Sequence, residues 1–585
     1  QSQRALPRKT LHDEVDALAA EADRGTLLQL LHRLADEWPP SERRTRLATV
    51  RAALTPQATS AVQEPLQHTI DELASALREC LAAAVDWPPD INVEGDDLGP
   101  FEDLLPAFEH ALNQTAARLD RGHTEEARAA YERLFELLAI EDEYGRGLRW
   151  RAREELVVDE HAARYLRAVY LERAGEHRAE AVIHAGYALR EHRIVSVPGL
   201  VELRLADPAP LPEWNDFLDS VIQRLEPSQD RLDERWLREA VIERSGLQGV
   251  IALCERQGER RPKAWIDRVR LAAEQDDAAA ALEGARGALA LFPQHAPIHD
   301  RIAAEAAPLA QRLGEPETLR ELRTAAFLAQ PDAARLARLC DASPGAPERC
   351  RYLRQAADAL ITHRLADWRP TPQADGLPYG EPVASMAVSW SVVALTDLLA
   401  GDWARACERV DEADGVGWSS PDNAQPLVVV YALVALCSGD PERLGTNARQ
   451  LWDRNRPRGL VLGSLHDDDD AGEDVAAETA ATERLDAAVR SACAYAPLPP
   501  GEAEEWLGWC THKVWHRTRH IVENKHRGAY ARAATAVGAC AEAGHASGLP
   551  GMVQPMIDQL RTNFSRHSAF QRELRVALAE VPGCA

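Results

Sequence analysis

Gly401-Asp-Trp-Ala-Arg-Ala406 is the stretch that decides the fold of this chain, because its pattern returns. Gly122-His-Thr-Glu-Glu-Ala127 and Gln275-Asp-Asp-Ala-Ala-Ala280 repeat it, and Gly439-Asp-Pro-Glu-Arg-Leu444 is a looser copy. In each, a glycine or polar residue opens a turn. A small residue follows five positions later on an amphipathic helix. The glycine ends one helix, and the small residue lets the next helix pack closely against it. Phrases of this kind are written into stacks of helix pairs. The expected fold is therefore all-α, an irregular helix-pair α-solenoid in several blocks.

Working outward from the phrase, helical periodicity runs through most of the 585 residues. Leu27, Leu28, Leu31 and Leu34 share a face after Thr26, and Pro39-Pro40 stops that helix. A polar loop from Trp87 to Pro100 closes an N-terminal helical bundle over 1–86. A helix-pair repeat region is expected over 101–366, with Val195 to Trp214 as a connector that has no clean helix period. The proline-rich stretch Trp368 to Pro382 separates it from a second helical repeat block over 383–465. There, Leu427 to Cys437 (LVVVYALVALC) has the length of a buried core helix. The acidic run Asp467 to Asp470 then precedes a C-terminal helical block over 476–585 that contains a basic, histidine-rich helix. The spacing and the Phe292-Pro293 closure are similar to tetratricopeptide repeats. No alternating strand pattern stands out.

The net charge is −26, and only four of the 67 basic residues are lysine. A protein this acidic repels nucleic acid and anionic membranes unless a local patch reverses the sign. No apolar run approaches the roughly 20 residues that span a bilayer. The ten cysteines are scattered without CxC or CxxC spacing, and the first ten residues have no hydrophobic signal core. A cytoplasmic protein with reduced cysteines is expected.

No phrase that carries chemistry is present: no GxGxxG after a strand, no P-loop, no GxSxG and no HExxH. The segment that stands out is Cys510-Thr-His-Lys-Val-Trp-His-Arg-Thr-Arg-His520 and its continuation to Arg527. On a helix, His512, His516 and His520 form one stripe, the geometry in which imidazoles share zinc or another divalent metal, with Cys510 or Glu523 as a further ligand. The alternative is a polar helix face. From Thr511 to Ala585 there are ten basic and five acidic side chains, so this end is the positive pole of a negative molecule. Lys513, Arg517, Arg519, Lys525 and Arg527, interleaved with Trp515, suit an anionic partner. An internal match to the acidic array is the simpler reading, since the opposite charge is present in the same chain.

Thr26-Leu-Leu-Gln-Leu-Leu-His-Arg-Leu-Ala35, with Asn524-Lys525, Tyr530, the helices to His545 and the basic Arg561 to Arg575, resembles the helical region of bacterial SWIM zinc-finger proteins. The CxC…CxH ligands of the finger are absent. The resemblance implies the same helical architecture, and DNA or protein binding wherever a finger accompanies it.

Three functions follow as expectations. The first is a non-enzymatic scaffold or adaptor that binds a partner protein or peptide through the helical-repeat surface, with no cofactor. The second is a nucleic-acid-associated accessory protein using the basic C-terminal segment. The third is a metal-dependent enzyme at His512, His516 and His520. No membrane partner is expected.

Overall fold

The structure is a computed structural model. It describes residues 66–83, 101, 104–141, 147–149, 152, 156–193, 196–228, 230–343, 346–365, 388–411, 418, 423–456, 471–498 and 501–581. The Leu27–Leu34 helix, the breaks at 87–100 and 368–382, and the acidic run Asp467–Asp470 lie outside these residues. The fold is all-α: the described residues form twenty-three α-helices and no strand.

Two compact units divide the chain: residues 1–168 with 189–196, and residues 169–188 with 197–585. In the first unit, α1 (Leu66–Ala83), α2 (Leu104–Asp120) and α3 (Thr124–Leu138) pack on one another. Tyr131 and Phe135 of α3 stack with rings 6.1 Å apart, and both meet Tyr165 edge-on. Tyr165 belongs to α4 (Val158–Glu172), which α5 (His177–His192) follows. Beside this cluster His161 is buried, with its Nδ1 3.3 Å from the Tyr131 hydroxyl. Burial, with help from Arg164, pushes its imidazole down to about 4.

The second unit continues with α6 (Leu200–Leu205), α7 (Trp214–Leu225), α8 (Arg231–Gln257), α9 (Pro262–Glu274), α10 (Ala278–Leu291), α11 (Ile298–Leu313), α12 (Pro316–Ala329), α13 (Ala333–Asp341) and α14 (Ala346–Leu365). Sequential neighbours α7/α8, α9/α10 and α11/α12 pack as pairs, and α9 also reaches α11, as in a stack of hairpins. The Val195–Trp214 stretch is more than a connector, since α6 forms inside it. Gly199 begins that helix, and Glu239 of α8 accepts from the Leu200 N–H at 2.6 Å. Six residues are too few to show a helical period, so this helix depends on its tertiary partner.

Three copies of the phrase, and the Gly314-Glu315 turn beside them, are helix stops of one geometry, while in the looser copy the Gly439 N–H itself donates to the Val434 carbonyl at 2.9 Å. At His123, Asp277, Glu315 and Asp402 the backbone N–H donates to the carbonyl five residues back, at 2.9–3.0 Å. The residue before each has positive φ: Gly122, Asp276, Gly314 and Gly401. This is the Schellman closure, and the residue after it starts the next helix. In the second copy the register is one residue later than the sequence suggests. Asp276, at φ 59°, takes the left-handed position instead of Gln275, and Ala281, not Ala280, is the fully buried small residue. Asn and Asp tolerate this conformation better than other side chains, which places the turn at Asp276. Ala127 and Ala406 are fully buried, as the packing argument requires, while Leu444 is half-buried.

The C-terminal helices are α15 (Trp390–Leu399), α16 (Trp403–Asp411), α17 (Gln425–Cys437), α18 (Thr446–Asn455), α19 (Ala471–Tyr495), α20 (Ala503–Glu523), α21 (Tyr530–Ala546), α22 (Pro550–Asn563) and α23 (Ser568–Leu578). α17 is apolar on every side, and α15, α16, α18, α20 and α21 surround it. That is the environment an all-round hydrophobic helix demands. On α15, the fully buried Asp397 faces Arg405 at 3.3 Å and Arg409 at 3.5 Å on α16. Burial outweighs the two guanidinium groups and raises its carboxyl to about 6. No described helix is long and apolar enough to cross a membrane.

Candidate binding groove on the C-terminal helices

α20 carries the histidine and basic stripe, and its 3.6-residue period decides which side chains meet. Leu507, Cys510, Val514, Ile521 and Val522 are buried, so α20 turns this face to the core. His512 and His516 lie on the exposed side with Nε2 atoms 3.0 Å apart and ring centroids 4.4 Å apart. His520 does not join them. Its ring faces Asn524 Nδ2 at 3.3 Å and lies 6.1 Å from the His526 ring. The chain reverses at Lys525, which has positive φ, and brings His526 back over the helix end.

Two neutral imidazoles at that separation share one hydrogen between their nitrogens, and the same separation suits adjacent positions on a metal. The two proposed further ligands are engaged elsewhere. Cys510 is fully buried, with its thiol 3.7 Å from the Val429 carbonyl, and Glu523 pairs with Arg519 at 2.7 Å. Among the described residues no group of three or more His, Cys, Asp or Glu is placed to hold a metal ion. Burial, then the neighbouring His516 and Lys513, lower the His512 imidazole from its ordinary value. His512 is therefore held toward its neutral form.

The basic side chains are not equivalent. Arg517 is buried, with its guanidinium 4.1 Å from the Trp418 ring centroid, and Trp418 Nε1 donates to Gln425 Oε1 at 2.8 Å. Burial and the nearby Arg532 and Arg454 push Arg517 down to about 9. Lys513 sits over Trp509 at 5.6 Å, and Arg519 over Trp515 at 5.4 Å. Lys525 and Arg527 are exposed at the turn, and Arg532 is exposed on α21. None of these three has a carboxylate within ion-pair reach among the described residues.

Beside the histidine pair, an open groove runs between α20 and α22. Gly508, Trp515, His512 and His516 line one side, and Met552, Pro555 and Met556 the other. Two of the three methionines in the chain are here, and Met552 is exposed. Reasoning from sequence missed this groove. Its aromatic and thioether walls come from helices separated by α21, so no local spacing reveals them. The signal within reach was Pro550-Gly-Met-Val-Gln-Pro-Met556, a helix start with two of only three methionines.

Neither a protein-family profile nor a curated protein matches this chain.

Proposed function

We propose that this protein is a non-enzymatic scaffold or adaptor, and that the α20–α22 groove holds an acidic amphipathic segment of a partner protein. The groove is the observation that carries the reading. Trp515, Met552 and Met556 offer an adaptable apolar wall, the kind of surface on which methionine accommodates an incoming helix. The surrounding residues 511–585 are net positive in a chain of net charge −26, so an acidic partner is the complementary one.

The test uses a fluorescent acidic amphipathic helical peptide and its basic counterpart. Binding of the acidic peptide alone, weakened at least ~10-fold by Met552→Glu, is the expected result. Equal affinity for both peptides, or an unchanged affinity in Met552→Glu, overturns the reading. Met552 is exposed, so the substitution leaves the fold intact.

A second reading, a nucleic-acid accessory protein, is favoured by one observation: the exposed, uncompensated Lys525, Arg527 and Arg532. It is also compatible with the resemblance to SWIM-type helical regions. Single-stranded and duplex DNA binding would then weaken steeply with salt, and neutralising Lys525, Arg527 and Arg532 together would flatten that slope by about three phosphate contacts. No retardation at low salt removes it.

A further inference from the structure

Methionine is scarce in this chain. It occurs at Met386, Met552 and Met556, and the last two stand four apart on α22. That spacing puts both on one helix face. On α20 the same period aligns Gly508, His512 and His516. The two stripes border one groove. Gly508 has no side chain, and the Met552 methyl lies 3.6 Å from where a Cβ would stand. The thioether arm therefore reaches over α20 one turn before His512.

The imidazoles are held in a chelating geometry. His516 meets the His512 ring edge-on, with planes 70° apart, and the Trp515 ring at 5.0 Å, with planes 89° apart. The two Nε2 atoms stand 3.0 Å apart as a result. Metal–imidazole bonds of about 2.0–2.1 Å set two nitrogens about 2.9 Å apart at a right angle and about 3.3 Å apart at a tetrahedral one. A small ring movement therefore meets either arrangement. The hydrogen shared between the rings moves to Nδ1 when a metal takes its place.

The remaining donors select the metal. No carboxylate lines the groove, and Lys513 and Arg519 stand nearby over Trp509 and Trp515. A hard dication finds no compensating charge there. Imidazole with thioether is a neutral and soft donor set, and thioethers favour cuprous copper.

We propose that His512 and His516, with the thioethers of Met552 and Met556, form a binding site for monovalent copper between α20 and α22. The plainer alternative is a polar helix edge beside two gap-filling methionines. The site does not rest on the acidic-peptide reading. Leucine in place of Met552 keeps an apolar wall for a peptide and removes the thioether.

The experiment uses the full chain with carbon-13 in its methionine methyl groups. Cuprous ion is delivered anaerobically from a weak chelator and titrated to saturation. The Met552 and Met556 methyl signals should shift, while Met386 stays in place as an internal control. Competition with bicinchoninate should then show copper affinity falling at least ~10-fold in His516→Gln and in the double variant Met552→Leu, Met556→Leu. It should be unchanged in His545→Gln, at the exposed end of α21. All ten cysteines remain in every variant, so thiol binding is common to the series. Copper that leaves the Met552 and Met556 signals in place overturns the proposal. So does unchanged affinity in His516→Gln, or zinc binding at the histidines that equals that of copper. The methyl shifts are read on wild type, so a variant that unfolds leaves the test standing. Acidic peptide titrated into metal-free Met552→Leu separates the two readings, since peptide binding should persist there while copper affinity falls.

Discussion

Glu542 caps a helix through Asn447, a residue 95 positions earlier in the chain. Its carboxylate, on α21, accepts from the Asn447 backbone N–H at 2.9 Å, from Asn447 Nδ2 at 2.7 Å and from the Ala448 N–H at 2.8 Å. The first turn of α18 has no side-chain cap of its own, since Gly445 occupies the N-cap position. A carboxylate at a helix N-terminus satisfies orphan donors and complements the macrodipole. Glu542→Ala should therefore cost about 2–3 kcal/mol in denaturant unfolding, and Glu542→Gln less. Gly445→Ala should be worse than an ordinary surface change, because a Cβ there would lie 2.6 Å from the Glu542 carboxylate. A wild-type unfolding midpoint for Gly445→Ala would show that α18 and α21 do not meet this way.

The helix stops make opposite predictions at two positions. Asp276 carries a side chain at φ 59°, where glycine is free of strain. Asp276→Gly should leave stability unchanged or raise it by up to about 1 kcal/mol. Gly401→Ala should destabilise, since its Cβ would lie 2.8 Å from the Ala496 Cβ in addition to the backbone strain. Ala406→Leu, at a fully buried site, should cost about 1–3 kcal/mol through overpacking. Thermal melts of the three variants rank them.

Acid should act on the two units in opposite directions. His161 is depressed to about 4, so its contribution is present above its unfolded value of 6.5 and is lost as the pH falls through 4. Asp397 is raised to about 6, so its contribution is full below 3.8 and is lost as the pH rises through 6. Replacing His161 by Gln should reduce acid destabilisation between pH 6.5 and 4 by about 3 kcal/mol, the free energy of roughly two and a half pK steps. Asp397→Asn should remove the opposing trend between pH 4 and 6. Chemical denaturation at pH 4, 5, 6 and 7 reads both.

The His512 ring should titrate below the usual histidine range in an NMR pH series. His516→Ala should move it back upward, and Lys513→Gln should do so by less, following the order of their effects after burial. An unmoved His512 resonance in His516→Ala would mean that the two rings are not coupled.

Thiol chemistry gives a probe of opening. Burial raises Cys254, Cys340, Cys437 and Cys540 to about 12 and Cys493 to about 11. The thiolate is the reactive form, so alkylation at pH 8 should be at least ~100-fold slower in the native protein than in urea. Rapid native labelling of Cys340 or Cys540, both buried, would contradict the packing of the second unit.

The all-α fold was legible because its signals are local: caps, turns and apolar period. Even the one-residue slip from Gln275 to Asp276 follows from backbone preference once both candidates are compared. The α6 helix was not legible, because Glu239, from a distant helix, completes its first turn. At the C-terminal site, spacing placed His512 beside His516 correctly. It did not foresee that the Lys525 reversal draws His520 toward His526, or that Arg517 turns inward onto Trp418. The groove is assembled from separate helices, and sulfur or an aromatic ring at one position says nothing of what faces it.

The apolar surface of α17 has a consequence during synthesis. α15 and α16 are made before it, but α20 and α21, which cover its remaining sides, emerge about a hundred residues later. At ordinary translation rates that leaves a wholly hydrophobic helix half-dressed for on the order of 5–20 s on the ribosome. For that interval the nascent chain presents the kind of sequence that chaperones recognise. Truncations that end between α18 and α20 should accordingly aggregate where the full chain does not.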